Sequence, residues 1–438
     1  DISQGGQVEI IGWIYQYYNT ENKEKAISSP KSHKFRDTEI ASVTQIFTPD
    51  WIVKYMVQNS LGKVWLKSLI KKGDSREEQQ MVDDFGWNYY LPEAKQPDNI
   101  VIKLNSVDSS LLDLKPADIR IIDPSMGSGH ILVYAFDLLM QIYKSQGFSE
   151  RDASKLIISN NLYGLDIDTR AFQLSYFSIY MKLRQYNRQA LTTSIELNIY
   201  DVPETNEINI EDFEVLFNEL NDTTVNDIKS LINIFENGND LGSLISGLDI
   251  NYERLVSELN GLNRDQLSFE VIPLIKYIKS LANVSSLLSK KYHVVITNPP
   301  YMGSSRMNKT LSDFAKKKYP NSKSDLFSMF IERWNKSVIW GGYNCMVTMQ
   351  SWMFLSSFEK MRTNLLDNYT ISSLMHMENN VMGIAFGTAV TIIRNIQMPE
   401  FIGTYHQIRT QDAAGKVPST VPIKGNRYNR TNQANFSK

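Results

Sequence analysis

The segment from residue 118 to residue 143 constrains the fold most. A short apolar run that ends at Asp123 is followed by Pro124-Ser125-Met126-Gly127-Ser128-Gly129 and then by an apolar stretch with helical spacing. A strand, a tight Gly-X-Gly turn and a helix form the first unit of a doubly wound α/β sheet, in which ligands bind at the carboxyl ends of the strands. Neither a Gly-Lys-Ser/Thr sequence nor the third glycine of the dinucleotide fingerprint follows, so a P-loop and a standard dinucleotide site are excluded.

Acidic residues end this strand and the next one. Asp123 can hold an ammonium group, while the glycines let the backbone approach a ligand closely. The apolar run over residues 161–165 ends at Asp166, where a carboxylate can accept both hydroxyls of a ribose. Asp168 fits the N-cap of the following helix better than a ligand contact. An amino-acid tail and a nucleoside together describe S-adenosyl-L-methionine, so the sequence predicts a site for this cofactor.

A third apolar run, residues 292–297, ends in Asn298-Pro299-Pro300-Tyr301. Each proline has a fixed φ and no backbone N–H, so the carbonyls before them are stiff, uncommitted acceptors. The Asn298 side chain adds another acceptor, and Tyr301 adds an aromatic face. Together, residues 298–301 would form a binding site, here called the socket, for a planar ligand that carries an exocyclic amine. A plain turn after a strand is the alternative that the tetrapeptide alone leaves open.

In this order, the glycine-rich motif, the Gly-Leu-Asp-Ile-Asp motif and Asn-Pro-Pro-Tyr resemble the motif set of the N6-adenine DNA methyltransferases. Thr48-Pro49 resembles the threonine-proline motif that contacts the methionine end of the cofactor, and its place ahead of the glycine motif is the gamma-class order. Several further strings resemble the adenine methyltransferases of BREX (phage growth limitation) defence systems: residues 12–18, 47–56, 125–136, 162–169, 323–332 and 351–357. The resemblance spans most of residues 9–397, but residues 203–290 carry little of it.

The resemblance implies a Rossmann-like α/β fold of S-adenosylmethionine-dependent methyltransferases, with a seven-stranded, mostly parallel sheet, a reversed edge strand, N-terminal helices and a helical insertion. The implied cofactor-binding residues are Thr48, Pro49, Asp123, Pro124, Ser125, Gly127, Ser128, Gly129, Asp166, Ile167 and Asn298. The implied catalytic residues are Asn298, Pro299, Pro300 and Tyr301, acting on an adenine extruded from the duplex. Tyr301 would stack on that base, and Phe386 is a candidate for its opposite face, with an ordinary core role as the alternative.

The formal net charge of −2 hides a strong segregation of charge along the chain. A basic stretch, predicted to be a loop, follows the Asn-Pro-Pro-Tyr socket and contains Arg306, Lys309, Lys316, Lys317, Lys318 and Lys323. No acidic residue follows Asp412, whereas five basic residues do. Positive charge beside the socket is what phosphate contacts require, so double-stranded DNA is the expected partner. A solvated loop is the alternative.

The remaining composition argues against several classes of protein. The chain contains no run of eighteen apolar residues and no charged and apolar leader, so we expect neither a membrane protein nor a secreted one. The single cysteine, Cys345, lies in an apolar strand, which fits a reducing cytoplasm and argues against cytosine C5 methylation, a reaction that needs a cysteine nucleophile. The five histidines are scattered without metal-ligand spacing, so no metal is expected.

Motif spacing divides the chain into four regions. Residues 1–115 are predicted to be an N-terminal helical region with the Thr-Pro motif, and residues 116–202 and 291–400 to be the catalytic domain. Residues 203–290 are predicted to be a helical insertion, because the distance between the glycine turn and the Pro-Pro turn exceeds two or three βαβ steps by about eighty residues. Residues 401–438 are predicted to be a polar, basic linker toward a missing target-recognition region, since the chain lacks an initial methionine and resembles much longer proteins.

These observations predict a site-specific DNA methyltransferase that modifies N6 of a flipped adenine in a bacterial phage-defence system, with other subunits of that system as candidate partners. Three alternatives remain open. They are a type I or fused restriction–modification methyltransferase subunit, a protein-glutamine N5 methyltransferase, whose substrate amide is also planar, and a non-catalytic DNA-binding component of a defence complex.

Overall fold

The computed structural model describes residues 34–36, 39–40, 44, 46–190, 195–262 and 271–437. Part of the predicted N-terminal helical region, including residues 1–33, lies outside these ranges. So do the first of the strings that resemble BREX methyltransferases, residues 12–18, and the last residue of the basic C-terminal stretch.

Nine strands of the described chain form one mixed sheet in the order β3-β2-β1-β4-β5-β7-β6-β8-β9. The strands are β1 (Ile121–Asp123), β2 (Leu162–Asp166), β3 (Asn198–Asp201), β4 (Tyr292–Thr297), β5 (Val338–Met349), β6 (Thr370–Met377), β7 (Thr388–Arg394), β8 (Ile402–Ile408) and β9 (Tyr428–Asn432). The first five strands are parallel, and β7 is antiparallel to both β5 and β6. The strand order reverses between β1 and β4, which opens a crevice at their carboxyl ends.

This topology confirms the predicted Rossmann-like α/β fold and the predicted strand ends at Asp123, Asp166 and Thr297. Strand β7 supplies the reversed strand that the resemblance implies, since it pairs antiparallel with β6. The predicted position of the reversed strand was wrong, because β7 lies inside the sheet.

The prediction of a linker after residue 400 was also wrong. Strand β8 pairs parallel with β6, and β9 pairs antiparallel with β8, so the described part of the sheet has nine strands where seven were predicted. The physical reason is that β6 would otherwise present unpaired backbone groups at a sheet edge. Gln433, which is buried, secures this addition by accepting a hydrogen bond from Ile371 N at 2.9 Å and donating to Leu366 O at 2.7 Å.

Helices cover the sheet. Before β1 lie α1 (Asp50–Val57), α2 (Lys63–Lys71), α3 (Glu78–Phe85) and α4 (Asp98–Asp108); between β1 and β4 lie α5 (His130–Ser145), α6 (Glu150–Leu156), α7 (Thr169–Tyr186), α8 (Glu214–Phe217), α9 (Asp222–Ile234), α10 (Gly238–Leu241), α11 (Tyr252–Gly261) and α12 (Val271–Ser289). After β4 follow α13 (Lys309–Lys318), α14 (Leu326–Asn335), α15 (Glu359–Asn368) and α16 (Thr410–Ala413). A π-helical turn, Gln58–Gly62, joins α1 to α2.

Two apolar cores lie on opposite faces of the sheet, because successive strand residues point to opposite sides. Ile121 and Val294 belong to the core that includes the N-terminal helices and α5. Ile122 and Val295 belong to the other core, which includes the helices of residues 203–290. The region predicted to be an insertion therefore shares a core with the central strands.

Helix α12 is the one helix among the described residues that is long and apolar enough to cross a membrane by length and composition. Half of its apolar window is buried, and the helix packs against α9 and α11. It therefore acts here as a core helix.

Buried charges connect the N-terminal helices to the sheet. Lys67 of α2 lies 2.9 Å from Glu93 and 3.4 Å from Asp108, at the end of α4. Asp108 also pairs with Arg394 of β7, whose side chain is only 1% exposed. Each charge of this network has an opposite charge beside it, as burial requires.

Candidate active site

The glycine-rich turn between β1 and α5 has a backbone that only glycine adopts easily. Gly127 and Gly129 have φ values of 54° and 82°, in the left-handed region. A Cβ on Gly129 would lie 2.4 Å from Ser175 Oγ, so α7 also excludes a side chain there. The turn delivers the N-terminus of α5 to the crevice, where its backbone N–H groups favour an anionic group.

The two strand-ending acids help to build this turn. The Asp166 carboxylate accepts hydrogen bonds from Gly127 N at 2.8 Å and Asp168 N at 2.9 Å. Asp123 Oδ1 accepts from Thr297 Oγ1 at 2.6 Å and from Ser125 N at 3.2 Å. Burial raises the pKa of Asp123 to about 7 and that of Asp166 to about 6. A cationic ligand bound beside these carboxyl groups would therefore favour their ionised form.

Asp168, by contrast, has the predicted structural position. Its side chain caps α7 by accepting from Arg170 N at 2.9 Å. Sequence reasoning missed Thr297, which connects Asp123 to Ser125 through a further hydroxyl contact of 2.7 Å. Its only sequence signal was its position as the last strand residue before Asn298.

The Asn298 side chain is held in one orientation by the Thr-Pro segment. Its Nδ2 donates to Ile46 O at 2.9 Å and to Thr48 Oγ1 at 3.1 Å. Its Oδ1 is buried and accepts no hydrogen bond within the described part of the chain. A buried acceptor without a donor costs about 1–3 kcal/mol, so this oxygen is suited to a ligand that supplies an N–H group. Thr48 was predicted only as a contact for the cofactor tail, and its role in orienting Asn298 was missed.

The two predicted aromatic residues lie together. Tyr301 donates its hydroxyl hydrogen to Val347 O at 3.0 Å, and its ring centroid lies 6.0 Å from that of Phe386. The planes of these two rings are inclined at 61°. Phe327 contacts the Tyr301 ring edge-on from α14, also at 6.0 Å. The rings thus form an aromatic corner at the carboxyl end of β4, and they are not parallel plates.

Two adjoining cavities meet at four residues: Ile46, Ser125, Gly127 and Asn298. The first cavity extends past Asp166 and Ile167 to residues 240–244, with apolar walls that include Leu326 and Phe330. The second cavity lies between residues 47–48 and the glycine-rich turn, with Asp123 and Ser128 in its wall. Neither Leu326 and Phe330 nor residues 240–244 were predicted from the sequence.

Most predicted cofactor residues line one cavity or both. The exceptions are Pro49 and Gly129, which line neither of the two cavities. Pro49 is the N-cap residue of α1, and Gly129 shapes the turn before α5. Their contributions are therefore to backbone geometry.

The basic stretch after the socket is helical, so the prediction of a loop was wrong. Helix α13 begins after Asn308, whose side chain caps it by accepting from Leu311 N at 2.9 Å. Leu311 and Ala315 are buried at helical spacing, and this apolar pair seats the helix on the core. The exposed residues Lys316, Lys317 and Lys318 form its last turn, where the helix dipole favours cations. Arg306 lies outside the helix, with its guanidinium 5.1 Å from the centre of the Phe35 ring.

Among the described residues, no three His, Cys, Asp or Glu side chains gather in a way that would hold a metal ion. Cys345 lies buried in β5, and burial raises the pKa of its thiol.

The fold and this site together define a class of protein. Its members have a Rossmann-like domain in which a strand that ends in an acidic residue and a glycine-rich turn lie beside an Asn-Pro-Pro-Tyr socket. Within that class, the family model described as the Eco57I restriction-modification methylase matches residues 160–382, just over half of the chain. The chain therefore belongs to this family.

Individual proteins are also similar to the chain. It is 39% identical, over its whole length, to the adenine-specific methyltransferase PglX of Lacticaseibacillus casei (strain Zhang), of which it covers 37%. It is 35% identical, over 88% of its length, to the adenine-specific methyltransferase BrxX of Escherichia coli O9:H4 (strain HS), of which it covers 32%. These matches confirm the resemblance found in the motifs, and the chain spans about a third of the length of both relatives. Among solved structures, the DrdV-DNA complex aligns with 90% of this chain and 32% of that chain at 12% identity, with a TM-score of 0.45.

Proposed function

We propose that this chain is the cofactor-binding and catalytic part of a cytoplasmic DNA methyltransferase that modifies N6 of adenine in a phage-defence system. The observation that carries this proposal is the buried Asn298 Oδ1 at the junction of the two cavities, which has no hydrogen-bond partner among the described residues. The two relatives, both named as adenine-specific methyltransferases, support it. Other subunits of the defence system are proposed partners on the same basis.

The two cavities fit the two ends of S-adenosylmethionine. We assign the methionine end to the second cavity, where Asp123 offers a buried carboxyl group beside Thr48. We assign the nucleoside end to the first, where Asp166 and Ile167 stand opposite apolar walls that suit an adenine ring. When bound, the cofactor supplies a methyl group made electrophilic by the sulfonium.

The remaining chemistry belongs to the chain. An adenine N6 amine is a poor nucleophile, because its lone pair is delocalised into the ring. Asn298 Oδ1 and the Pro299 carbonyl would accept its two hydrogens and so favour a tetrahedral nitrogen with an available lone pair. The lone pair of N6 would then be aligned with the methyl group that the cofactor supplies, and the proton that N6 loses would pass to solvent. Fixed acceptors and alignment are the main contributions of the protein.

Tyr301 and Phe386 would hold the extruded base. The hydrogen bond from Tyr301 to Val347 O fixes its ring at the socket, and stacking on a base contributes about 1–3 kcal/mol. Because the two rings are now inclined, Phe386 must turn for the rings to enclose a base. It lies in the segment between β6 and β7.

The test is Asn298→Ala, with Thr48→Val as a graded variant. Asn298→Ala removes the acceptor for the amine and should lower N6-methyladenine by at least about a hundredfold, the typical effect of losing one preorganised catalytic hydrogen bond. Thr48→Val removes only one of the two groups that orient Asn298, so a smaller loss is expected. The measurement is mass spectrometry of nucleosides from DNA of cells that express each form of the protein.

Three results would contradict the proposal. N4-methylcytosine as the product would show that the socket is assigned to the wrong base. Methylated glutamine in cellular protein, without methylated DNA, would favour the protein-glutamine alternative. Undiminished N6-methyladenine in Asn298→Ala would remove the catalytic role of this residue.

A further inference from the structure

Residues 240–244, here named the bridging segment, form a wall of the first cavity. The segment is fixed to the glycine-rich motif, because Ser243 Oγ donates to Pro124 O at 2.7 Å and both groups are buried. It also lies against the loop after β2. Gly242 has a φ of +53°, and a Cβ there would lie 2.7 Å from Ile167 Cγ2. One side of the bridging segment is therefore part of the proposed nucleoside site.

The other side of the same segment holds the basic helix α13 at both of its ends. Before the helix, Asn308 Nδ2 donates to Asp240 Oδ1 at 2.6 Å, while Asn308 Oδ1 caps the helix. After the helix, Tyr319 Oη donates to Leu244 O at 2.7 Å, and Tyr319 is buried. Helix α13 thus rests on the first and last residues of the bridging segment.

We propose that the bridging segment couples the two binding events, so that the cofactor and DNA bind with positive cooperativity. This inference rests on the proposed function, since it takes S-adenosylmethionine as the ligand of the cavity and DNA as the ligand of Lys316, Lys317 and Lys318.

The coupling is expected to be positive because both ligands order the same bridging segment. A ligand that fills the first cavity packs against the bridging segment and restrains it, which restrains the two hydrogen bonds that seat α13. DNA bound to the lysines restrains the helix and, through the same bonds, the cavity wall. When two ligands order the same element, the second has less entropy to overcome than the first. Linkage then requires that each ligand raises the affinity for the other by the same factor.

The experiment is a thermodynamic cycle on the protein. Calorimetry measures the dissociation constant of S-adenosylhomocysteine, which cannot transfer a methyl group, with and without a saturating mixed-sequence duplex. Fluorescence anisotropy measures the reciprocal effect on DNA. We expect each ligand to tighten the binding of the other by about fivefold or more, the lower end of typical allosteric coupling.

The decisive variant combines Asn308→Ser with Tyr319→Phe. Serine still caps the helix but is shorter and lacks the amide group that reaches Asp240, and phenylalanine keeps the buried ring but loses the hydroxyl. We expect the coupling factor to fall below about twofold, with cofactor affinity in the absence of DNA essentially unchanged. Tyr252→Phe is the matched control, because its hydroxyl bonds to Leu248 O and lies outside the bridging segment.

The outcomes separate this inference from the proposed function. If the unmodified protein binds both ligands independently, or if the double variant keeps the full coupling, the inference is wrong and the proposed function stands. If the protein binds neither ligand, the proposed function itself fails, and the inference fails with it.

Discussion

At the scale of single residues, a side chain's chemistry at this site depends on which of its atoms already have partners. Asn298 has both amide hydrogens engaged by residues 46 and 48, so within the described part of the chain its oxygen is the atom left for a ligand. Asp166 differs from Asn298, because its carboxylate already accepts hydrogen bonds from the backbone of the glycine turn and of residue 168. Asp166 therefore both shapes the turn and faces the first cavity.

Asp166→Ala should weaken S-adenosylmethionine binding by about tenfold or more. The substitution would remove the proposed charge-assisted hydrogen bond to the ligand, worth about 1.5–3 kcal/mol, and it releases Gly127 N from its acceptor. Calorimetric titration measures the change. Asp152→Ala is the control, since Asp152 is an exposed residue in the first turn of α6. Unchanged affinity in Asp166→Ala would exclude this residue from the cofactor site.

Cofactor affinity should also depend on pH through Asp123. Its pKa, raised by burial to about 7, means that the carboxyl group is neutral in acid and becomes charged as the pH rises through neutrality. A cationic ligand binds the charged form better, so affinity should rise by up to about tenfold for each pH unit below the pKa and level off above it.

Titrations at a series of pH values from about 5.5 to 8.5 test this expectation, since the range brackets the raised pKa. Asp123→Asn removes the ionisable group and should flatten the profile near pH 7. The remaining slope at lower pH would belong to Asp166, whose pKa is raised to about 6. Affinity that falls as the pH rises would contradict the assignment of a cation to this position.

At the scale of secondary-structure elements, packing determined conformations and positions that amino-acid composition did not predict. The lysine-rich stretch after the socket is polar enough to be a loop, yet Leu311 and Ala315 fit the core and Asn308 supplies a cap. Strand β7 lies inside the sheet, and its last residue, Arg394, pairs with Asp108 of α4. Helix α4 and the sheet therefore depend on each other through buried charge.

Asp108→Asn should destabilise the protein by about 3 kcal/mol. The substitution leaves Arg394 buried without its nearest opposite charge, and removing one partner of a buried pair has an effect of this size. Urea unfolding followed by circular dichroism measures the change in the free energy of unfolding. Asp313→Asn breaks an exposed pair with Lys316 and should leave stability unchanged. Equal stability of the two variants would contradict the structural role of Asp108.

At the scale of the whole molecule, the carboxyl edge of the sheet carries the site and α13 brings positive charge to it. Helix α5 starts at this edge with His130 and runs for 16 residues, so its last turn lies about 24 Å away toward the opposite edge. Charge on the two edges should therefore differ in its effect on DNA.

Reversing Lys316, Lys317 and Lys318 to Glu should weaken DNA binding and reduce its salt dependence. Each lost phosphate contact lowers the slope of log affinity against log salt by about 0.9, so three contacts predict a change of about 2.7. Fluorescence anisotropy across a salt series, with two unrelated duplexes, provides the measurement. The matched control reverses Lys115, Lys144 and Arg151, which are exposed residues near the opposite edge.

An equal loss in both triple variants would show that net charge matters and α13 does not. We expect the two duplexes to bind alike, because phosphate contacts carry no sequence information. A hundredfold preference for one duplex would instead place base-reading contacts within these 438 residues.

The amino-acid sequence by itself determined the features that arise between chain neighbours. Apolar runs that end in Asp123, Asp166 and Thr297 specified three strand ends, and the glycines of residues 127 and 129 specified a turn with positive φ, which glycine adopts most easily. These are local effects of side-chain period, of proline and of positive φ, so they can be predicted without knowledge of the fold.

Only the tertiary structure decided which distant groups meet. The bond from Asn298 to Thr48 joins residues 250 positions apart, and the bridging segment meets α13 across 68 positions. Strand β8 became part of the sheet because β6 offered an edge, and the few β-branched and aromatic residues of β8 do not by themselves specify which strand it pairs with. Such contacts depend on shape, burial and unpaired hydrogen-bonding groups in the folded chain, and these exist only after the elements have packed together.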